Sequence, residues 1–212
     1  MTHPSILRLS KLLLGKRMTQ SRRPKNDNEK LVRMKKQSKI KIFTIGHSIH
    51  DLKTFKTILK TYNINQVIDI RSIPKSRHNP QFNFETLPTK LRNAKIGYRH
   101  IKNLGGLRHA KKDSINIGWH NTSFRGFADY MQTEEFEAGI ELLIKIAKKK
   151  HIVIMCAESV PWRCHRSLIG DALLVRNISV IDIYSATESK QHTLTPWVKV
   201  RGMHITYPEN KS

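Results

Sequence analysis

Short runs of apolar and β-branched residues, separated by segments of helical periodicity, constrain the fold of this 212-residue chain most. Runs of this kind, ended by glycine, proline or polar residues, are typical of buried strands. Strands that alternate with helices predict an α/β fold, with a mainly parallel central sheet of about five strands, flanking helices and a single domain. The strands are expected in KIFTIGHS, NQVIDIRSIP, KIGYRHI, HIVIMC and SVIDIYS.

The segments between these runs predict the helices. Residues 51–62 carry apolar side chains at helical spacing, and Asp51 stands at the position of an N-cap. A short helix is expected over residues 86–93, and residues 124–149 are expected to form helix in two pieces. Residues 102–122 are rich in Gly, Lys and Asn and predict a long loop, whereas the C-terminal stretch TLTPWVKVRGMHITYP fits no single pattern.

The charge of the chain divides it near residue 39. Lys and Arg total 39 against 16 Asp and Glu, for a net charge of +23. Residues 1–38 are almost free of acidic side chains and predict a basic, disordered extension, because such a segment buries too little apolar surface to order itself. Residues 39–212 are expected to form the α/β domain. The excess of positive charge favours a phosphate-bearing ligand or nucleic acid as partner.

Several protein classes are disfavoured by what the sequence lacks. No run approaches the ~18 apolar residues of a membrane span, and two cysteines are too few for a disulfide-stapled small domain. With no secretory signal, we expect a cytoplasmic protein with reduced thiols. P-loop and dinucleotide-binding motifs are missing, as are the common DNA-reading motifs. The sequence assigns neither a cofactor nor an oligomeric state.

Reactive side chains follow three of the predicted strands. The sequence reads GHS at 46–48, RS at 71–72 and CAE at 156–158. In an open α/β sheet, ligands bind beyond the carboxyl ends of the strands, so we expect these residues to share one site.

Two of these positions suggest roles for particular side chains. Asp69 and Arg71 lie on the same face of a strand, so Asp69 is expected to orient Arg71 toward the site. His47 is a candidate general base, in a turn that Gly46 is expected to tighten. The next loop adds Arg77 and Asn79 as candidate substrate-binding residues.

The densest cluster of reactive groups lies within eleven positions and comprises Cys156, Glu158, Arg163, Cys164, His165 and Arg166. One interpretation is recognition of an anion by Arg71, Arg77, Arg163 and Arg166, together with the backbone N–H groups of a helix that begins near residue 164. A second is thiol chemistry, with Cys156 or Cys164 as nucleophile and His165 or His47 as base. A third is a metal site built from Cys156, Cys164 and His165, with His47 or Glu158 added.

The spacing of the cluster argues against two familiar sites. Strand, cysteine, loop and Arg-bearing helix resemble the loop of cysteine phosphatases and rhodaneses, but the interval from Cys156 to Arg163 is longer, and Glu158 within it would repel phosphate. A Cys-x7-Cys-His spacing matches no common zinc motif, so no metal ligand is predicted. Simple packing of buried cysteines also remains open.

Five separated motifs resemble one known family. They are TIGHS at 44–48, DIRSIPKSRHNPQFN at 69–83, NLGGLR at 103–108, MCAESVPWRCHR at 155–166 and ITYP at 205–208. Together they resemble the family catalogued as domain of unknown function 488, over about residues 40–208. The resemblance implies an α/β domain with a Cys-Glu and Cys-His-Arg site. It implies no established reaction or cofactor.

Two functions remain as hypotheses. The first is an enzyme acting on an anionic, phosphate-bearing substrate such as a nucleotide or nucleic acid, with His47, Glu158, Cys156, Cys164 and His165 as catalytic candidates. The second is a non-catalytic nucleic-acid-binding module that uses its basic surface and its N-terminal extension. The residues favour the enzyme, because a binding module has no need for thiols, imidazole and carboxylate at one strand–helix junction.

Overall fold

The computed structural model of the chain describes residues 40–209. The basic extension predicted over residues 1–38 lies outside the described residues. Eight strands are described: β1 (Lys41–Gly46), β2 (Gln66–Asp69), β3 (Gly97–His100), β4 (Ile152–Cys156), β5 (Ser179–Ile183), β6 (Ser189–Gln191), β7 (Lys199–Arg201) and β8 (His204–Thr206). Six of them form one sheet in the order β3-β2-β4-β1-β5-β6.

The sheet confirms the predicted α/β architecture. Strands β1 to β5 are the five predicted ones, and all their pairings are parallel. Strand β6 adds an antiparallel edge, and β7 with β8 forms a separate antiparallel pair. These last three strands were not predicted. The residues of β6 and β7 are all exposed, so they carry no alternation of buried and exposed side chains.

The helices also follow the sequence pattern. They are α1 (Leu52–Thr61), α2 (Leu87–Arg92), α3 (Thr122–Tyr130), α4 (Glu134–Ala147) and α5 (Arg166–Leu174). Asp51 caps α1 by accepting a hydrogen bond from the Thr54 N–H at 2.8 Å, as expected. Residues 124–149 do form two helices, and Thr133 caps the second. Within the described range, no helix is both long enough and apolar enough to cross a membrane.

Two hydrophobic cores lie on opposite faces of the sheet. Along β4, Ile152, Ile154 and Cys156 belong to the core that includes α3, α4 and α5. Val153 and Met155 point to the other core, with α1 and α2. The helix after β1 and the helix after β4 therefore leave adjacent strands toward opposite faces. In open α/β sheets this arrangement opens a crevice at the carboxyl ends of the two strands.

A buried network of polar side chains ties α5 to the edge of the sheet. His192 lies between two carboxylates, with Nε2 3.1 Å from Asp171 Oδ1 and Nδ1 2.9 Å from Asp182 Oδ2. Tyr207 donates to Asp171, and Thr44 donates to Asp182. Burial opposes a charge on His192, but the two carboxylates outweigh it and raise its pKa to about 9. Both ring nitrogens therefore act as donors, which identifies an imidazolium.

This network predicts a stability that depends on pH. Because the pKa of His192 rises from its ordinary 6.5 to about 9 on folding, its stabilisation is complete below pH 6.5 and is lost as the pH rises through 9. A shift of that size corresponds to about 3 kcal/mol. We expect His192→Gln to reduce the free energy of unfolding at about pH 6, and the difference from the native protein to shrink by about that amount by pH ~10. Urea unfolding across this pH range measures the difference in the free energy of unfolding. A difference that does not change with pH would contradict a charged His192 between Asp171 and Asp182.

Candidate functional site

A pocket of about 680 Å³ opens at the carboxyl ends of β1, β2 and β4. Eight of the ten predicted site residues line it: His47, Arg71, Asn79, Cys156, Glu158, Arg163, Cys164 and His165. The other two do not line it. Arg77 is exposed beside it, and Arg166 is buried behind the loop that follows β4. The sheet thus brings together residues from four separate parts of the chain.

A buried ion pair forms one wall of the site. The Asp69 carboxylate accepts hydrogen bonds from Arg71 Nη2 at 2.6 Å, from Arg71 Nε at 3.0 Å and from Tyr98 Oη at 2.7 Å. Arg71 Nη2 also donates to the Phe82 carbonyl at 2.7 Å. The prediction that Asp69 orients Arg71 is confirmed. Because the pair is buried and its groups are hydrogen-bonded, removing one partner would leave an uncompensated charge.

His47 is held in a single tautomer beside this pair. Its Nδ1 donates to the Ser48 carbonyl at 3.0 Å, and its Nε2 accepts from Arg71 Nη1 at 3.3 Å. The ring stacks on Phe82 with centroids 4.3 Å apart. Burial, reinforced by the nearby Arg71 charge, lowers the pKa of His47 below 6.5, so the ring is neutral. Both ring nitrogens are engaged here, so we assign His47 to positioning Arg71.

Two thiols and an imidazole also line the pocket. Cys156 ends β4, Cys164 precedes α5, and His165 is the N-cap residue of α5. The Sγ atoms and a ring nitrogen of His165 all lie within 4.8 Å of one another, and both cysteines are free thiols. His165 Nε2 donates to the Leu104 carbonyl at 3.0 Å, so the lone pair of Nδ1 faces the Cys164 sulfur, 3.8 Å away.

The two thiols differ in acidity because they share one hydrogen bond. Cys164 donates to Cys156, which lowers the pKa of Cys156 well below its usual value despite burial, and the nearby charge of Arg166 adds to this effect. The same hydrogen bond raises the pKa of Cys164 well above its usual value. The pocket therefore holds two adjacent thiols of unequal acidity, with Cys156 the more acidic of the pair.

Two glycines permit the close approach of these elements. A Cβ atom on Gly46 would lie 1.7 Å from the Glu158 carbonyl oxygen, and one on Gly106 would lie 2.3 Å from His165 Nδ1. The expectation that Gly46 tightens the turn was wrong, because the left-handed residue there is Ser48, with φ 46°. Gly46 is required by contact with the neighbouring loop instead. Gly106 was not predicted as a site residue, although it lies in the NLGGLR motif.

Arg166 holds the loop after β4 in place. Only 1% of this residue is exposed, and its guanidinium donates to the carbonyls of Glu158 and Ser159. Its contacts therefore assign it to positioning the loop, not to direct contact with a ligand. The side chains of Glu158 and Arg163 are exposed and line the pocket, and so is that of Lys75, which sequence reasoning did not select. Residue type alone does not distinguish a buried arginine from an exposed one.

The fold and the pocket define an α/β protein with a thiol–imidazole centre and an orienting arginine pair at the carboxyl ends of its strands. The chain belongs to the family described as domain of unknown function DUF488, whose model matches residues 51–173. That range contains the motifs at 69–83, 103–108 and 155–166 and confirms the resemblance. The motifs at 44–48 and 205–208 lie outside it. No match was found among curated proteins or among solved structures.

The contacts of Arg166 predict a specific loss of order. Arg166→Lys leaves one ammonium where a fork now bonds two carbonyls, so we expect a loss of about 2 kcal/mol in the free energy of unfolding. Hydrogen exchange at residues 157–160 should accelerate. Arg163→Lys is the matched control, since this side chain is exposed and should change stability by less than about 0.5 kcal/mol. Equal effects of the two substitutions would refute a bracing role.

Proposed function

We propose that this protein is an enzyme acting on an anionic, phosphate-bearing substrate, such as a nucleotide or nucleic acid. One observation carries the proposal: a single pocket combines a cluster of two free thiols and an imidazole with cationic side chains from two loops. Reactive groups and an electrostatic means of holding a phosphate thus occur within one cavity. Pockets that gather a few polar groups with perturbed pKa values are characteristic of active sites.

The charge lining the pocket favours an anion. Lys75, Arg163 and Arg71 are cationic, and Glu158 is the only carboxylate among the lining residues that the structure describes. Arg71 is largely neutralised by Asp69, so the exposed Lys75 and Arg163 are the side chains able to turn toward a phosphate. A guanidinium presents parallel donors that match phosphate oxygens.

The loop after β4 supplies further donors. Its carbonyl groups at Glu158 and Ser159 are bonded by Arg166, whereas the N–H groups of these two residues donate to no acceptor in the described part of the chain. Both residues line the pocket. These N–H groups are available as donors to a ligand bound next to the thiols.

The roles follow from these positions. Lys75, Arg163 and Asn79 bind the substrate, while Arg71, His47 and Arg166 keep the walls of the pocket in place. The reaction occurs at Cys156, Cys164 and His165, and the exposed Glu158 serves as acid or base.

Substitution of the exposed cations tests substrate binding. We expect Lys75→Gln with Arg163→Gln to weaken binding of pyrophosphate and of a nucleoside diphosphate by at least about 10-fold, because each loses a charge-assisted hydrogen bond. Isothermal titration calorimetry at constant ionic strength measures the two dissociation constants. Arg77→Gln is the control, as Arg77 is exposed and near in sequence but does not line the pocket. Equal losses of affinity in the double variant and in the Arg77→Gln control would show that general surface charge holds the ligand. That outcome would contradict binding in the pocket.

Replacement of the reactive groups tests catalysis separately. The native protein and each variant are incubated with a panel of nucleotides, and the rate of product release is measured. We expect Cys156→Ser and Glu158→Gln each to lower turnover by about 10²–10⁴-fold, because each removes a group that takes part in the reaction. Binding of the same nucleotides should change little in Glu158→Gln. Turnover that survives both substitutions would refute the assignment.

A non-catalytic nucleic-acid-binding module is a second candidate, supported by the net charge of +23. It requires binding that falls steeply with salt concentration and is indifferent to Cys156 and Glu158. Titration of single- and double-stranded DNA at several salt concentrations with the Cys156→Ser protein separates the two functions.

A further inference from the structure

We infer that Cys156, Cys164 and His165 form a binding site for a thiophilic divalent cation of the Zn²⁺ type, with its fourth coordination position open to the pocket. The three side chains are separated by strand, loop and helix N-terminus, yet their donor atoms converge. The inference deepens the proposed function and rests on it for one point, that the open position receives a phosphate oxygen of the substrate.

The distances between the donor atoms suit such an ion. All three donors lie within 4.8 Å of one another, and Cys164 Sγ is 3.8 Å from His165 Nδ1. Tetrahedral zinc with Zn–S of ~2.3 Å and Zn–N of ~2.0 Å separates its ligand atoms by about 3.5–3.8 Å. The cation therefore fits after side-chain adjustments of about an ångström or less.

The imidazole is already oriented as a ligand. Its Nε2 donates to the Leu104 carbonyl at 3.0 Å, which leaves the lone pair of Nδ1 directed at the thiols. In most metal-bound histidines, the ring nitrogen that does not bind the metal donates a hydrogen bond of this kind, and this bond fixes the tautomer. The ring is further held by the edge of Phe127, with centroids 4.9 Å apart, and by the backbone of Gly106.

The electrostatics of the thiols agree with the assignment. Cys156 and Cys164 are 7% and 3% exposed, and two adjacent buried thiolates would repel each other without a cation between them. A divalent cation would displace the thiol protons and neutralise both sulfurs.

The open position gives the ion a role in the reaction. All three ligands line the pocket, so the position they leave unfilled is accessible from the side of Lys75 and Arg163. Sites with three protein ligands and one open position are typical of catalytic zinc, where the ion acts as a Lewis acid on a bound oxygen. The unusual Cys-x7-Cys-His spacing follows from assembling the ligands across a strand–helix junction instead of within one short loop.

Metal binding by the full chain tests the inference directly. The tag-free, reduced protein is stripped of metal and titrated with Zn²⁺ against a chromogenic chelator, and with Co²⁺ by absorption spectroscopy. We expect one equivalent of either ion, with thiolate-to-cobalt charge-transfer bands and the visible bands of tetrahedral Co²⁺. Because the loss of a second-shell partner alone weakens metal binding by 10- to 100-fold, Cys164→Ser and His165→Ala should each weaken it by at least about 100-fold.

The controls separate this site from surface binding and from misfolding. His151→Ala removes an exposed histidine and should bind both ions as the native protein does. The cobalt spectrum of the native protein requires no substitution, so it remains informative if a variant fails to fold. Binding without thiolate bands, no binding, or unchanged binding by His165→Ala would each overturn the metal site.

Repeating the pyrophosphate titrations with metal-free and Zn²⁺-loaded protein distinguishes the two proposals. Tighter binding in the loaded form supports an ion that contacts phosphate. Metal binding without any pyrophosphate or nucleotide binding would overturn the proposed function and the phosphate-receiving position while leaving the cation site. Phosphate binding that depends on Lys75 and Arg163 in a protein that takes up no metal would overturn the cation site alone.

Discussion

The parallel pairing of β1 with β4 is the constraint on which the pocket depends. Their register places Gly46 opposite Cys156, so the segments that leave the two strands run side by side. The Glu158 carbonyl then lies where a side chain at position 46 would be. Because α1 and α5 depart to opposite faces, the space between the departing segments stays open. His47 and Cys156 are positioned directly by this pair of strands.

Buried and exposed cations have different functions around that space. Arg71 and Arg166 are buried, and their Nη donors are used by Asp69, by Phe82 and by the loop after β4, whereas Arg166 Nε has no partner among the described residues. Burying a guanidinium is costly unless it is well paired, so such residues make a site rigid more readily than they bind ligands. Arg163 and Lys75 remain exposed and available. A rigid frame with a few adaptable side chains reduces the ordering that a bound substrate requires.

Local patterns in the sequence were sufficient for the five parallel strands and for the set of side chains that meet at their carboxyl ends. The apolar runs identified β1 to β5, and the rule that parallel sheets bind ligands beyond their carboxyl ends brought His47, Arg71 and Cys156 together. Burial and hydrogen-bond partners cannot be read from residue types alone, so the sequence does not distinguish the buried Arg166 from the exposed Arg163 and Lys75.

The range matched by the family model is shorter than the unit that folds around the pocket. The matched range, 51–173, omits β1 and β5, and β1 lies in the interior of the sheet, paired on both sides. It also omits His192 and Tyr207, which hold Asp171 on α5. A fragment trimmed to that range would expose the backbone edge of β4 and leave the Asp171 carboxylate buried without partners. The minimal unit that preserves the pocket therefore extends from β1 to Tyr207.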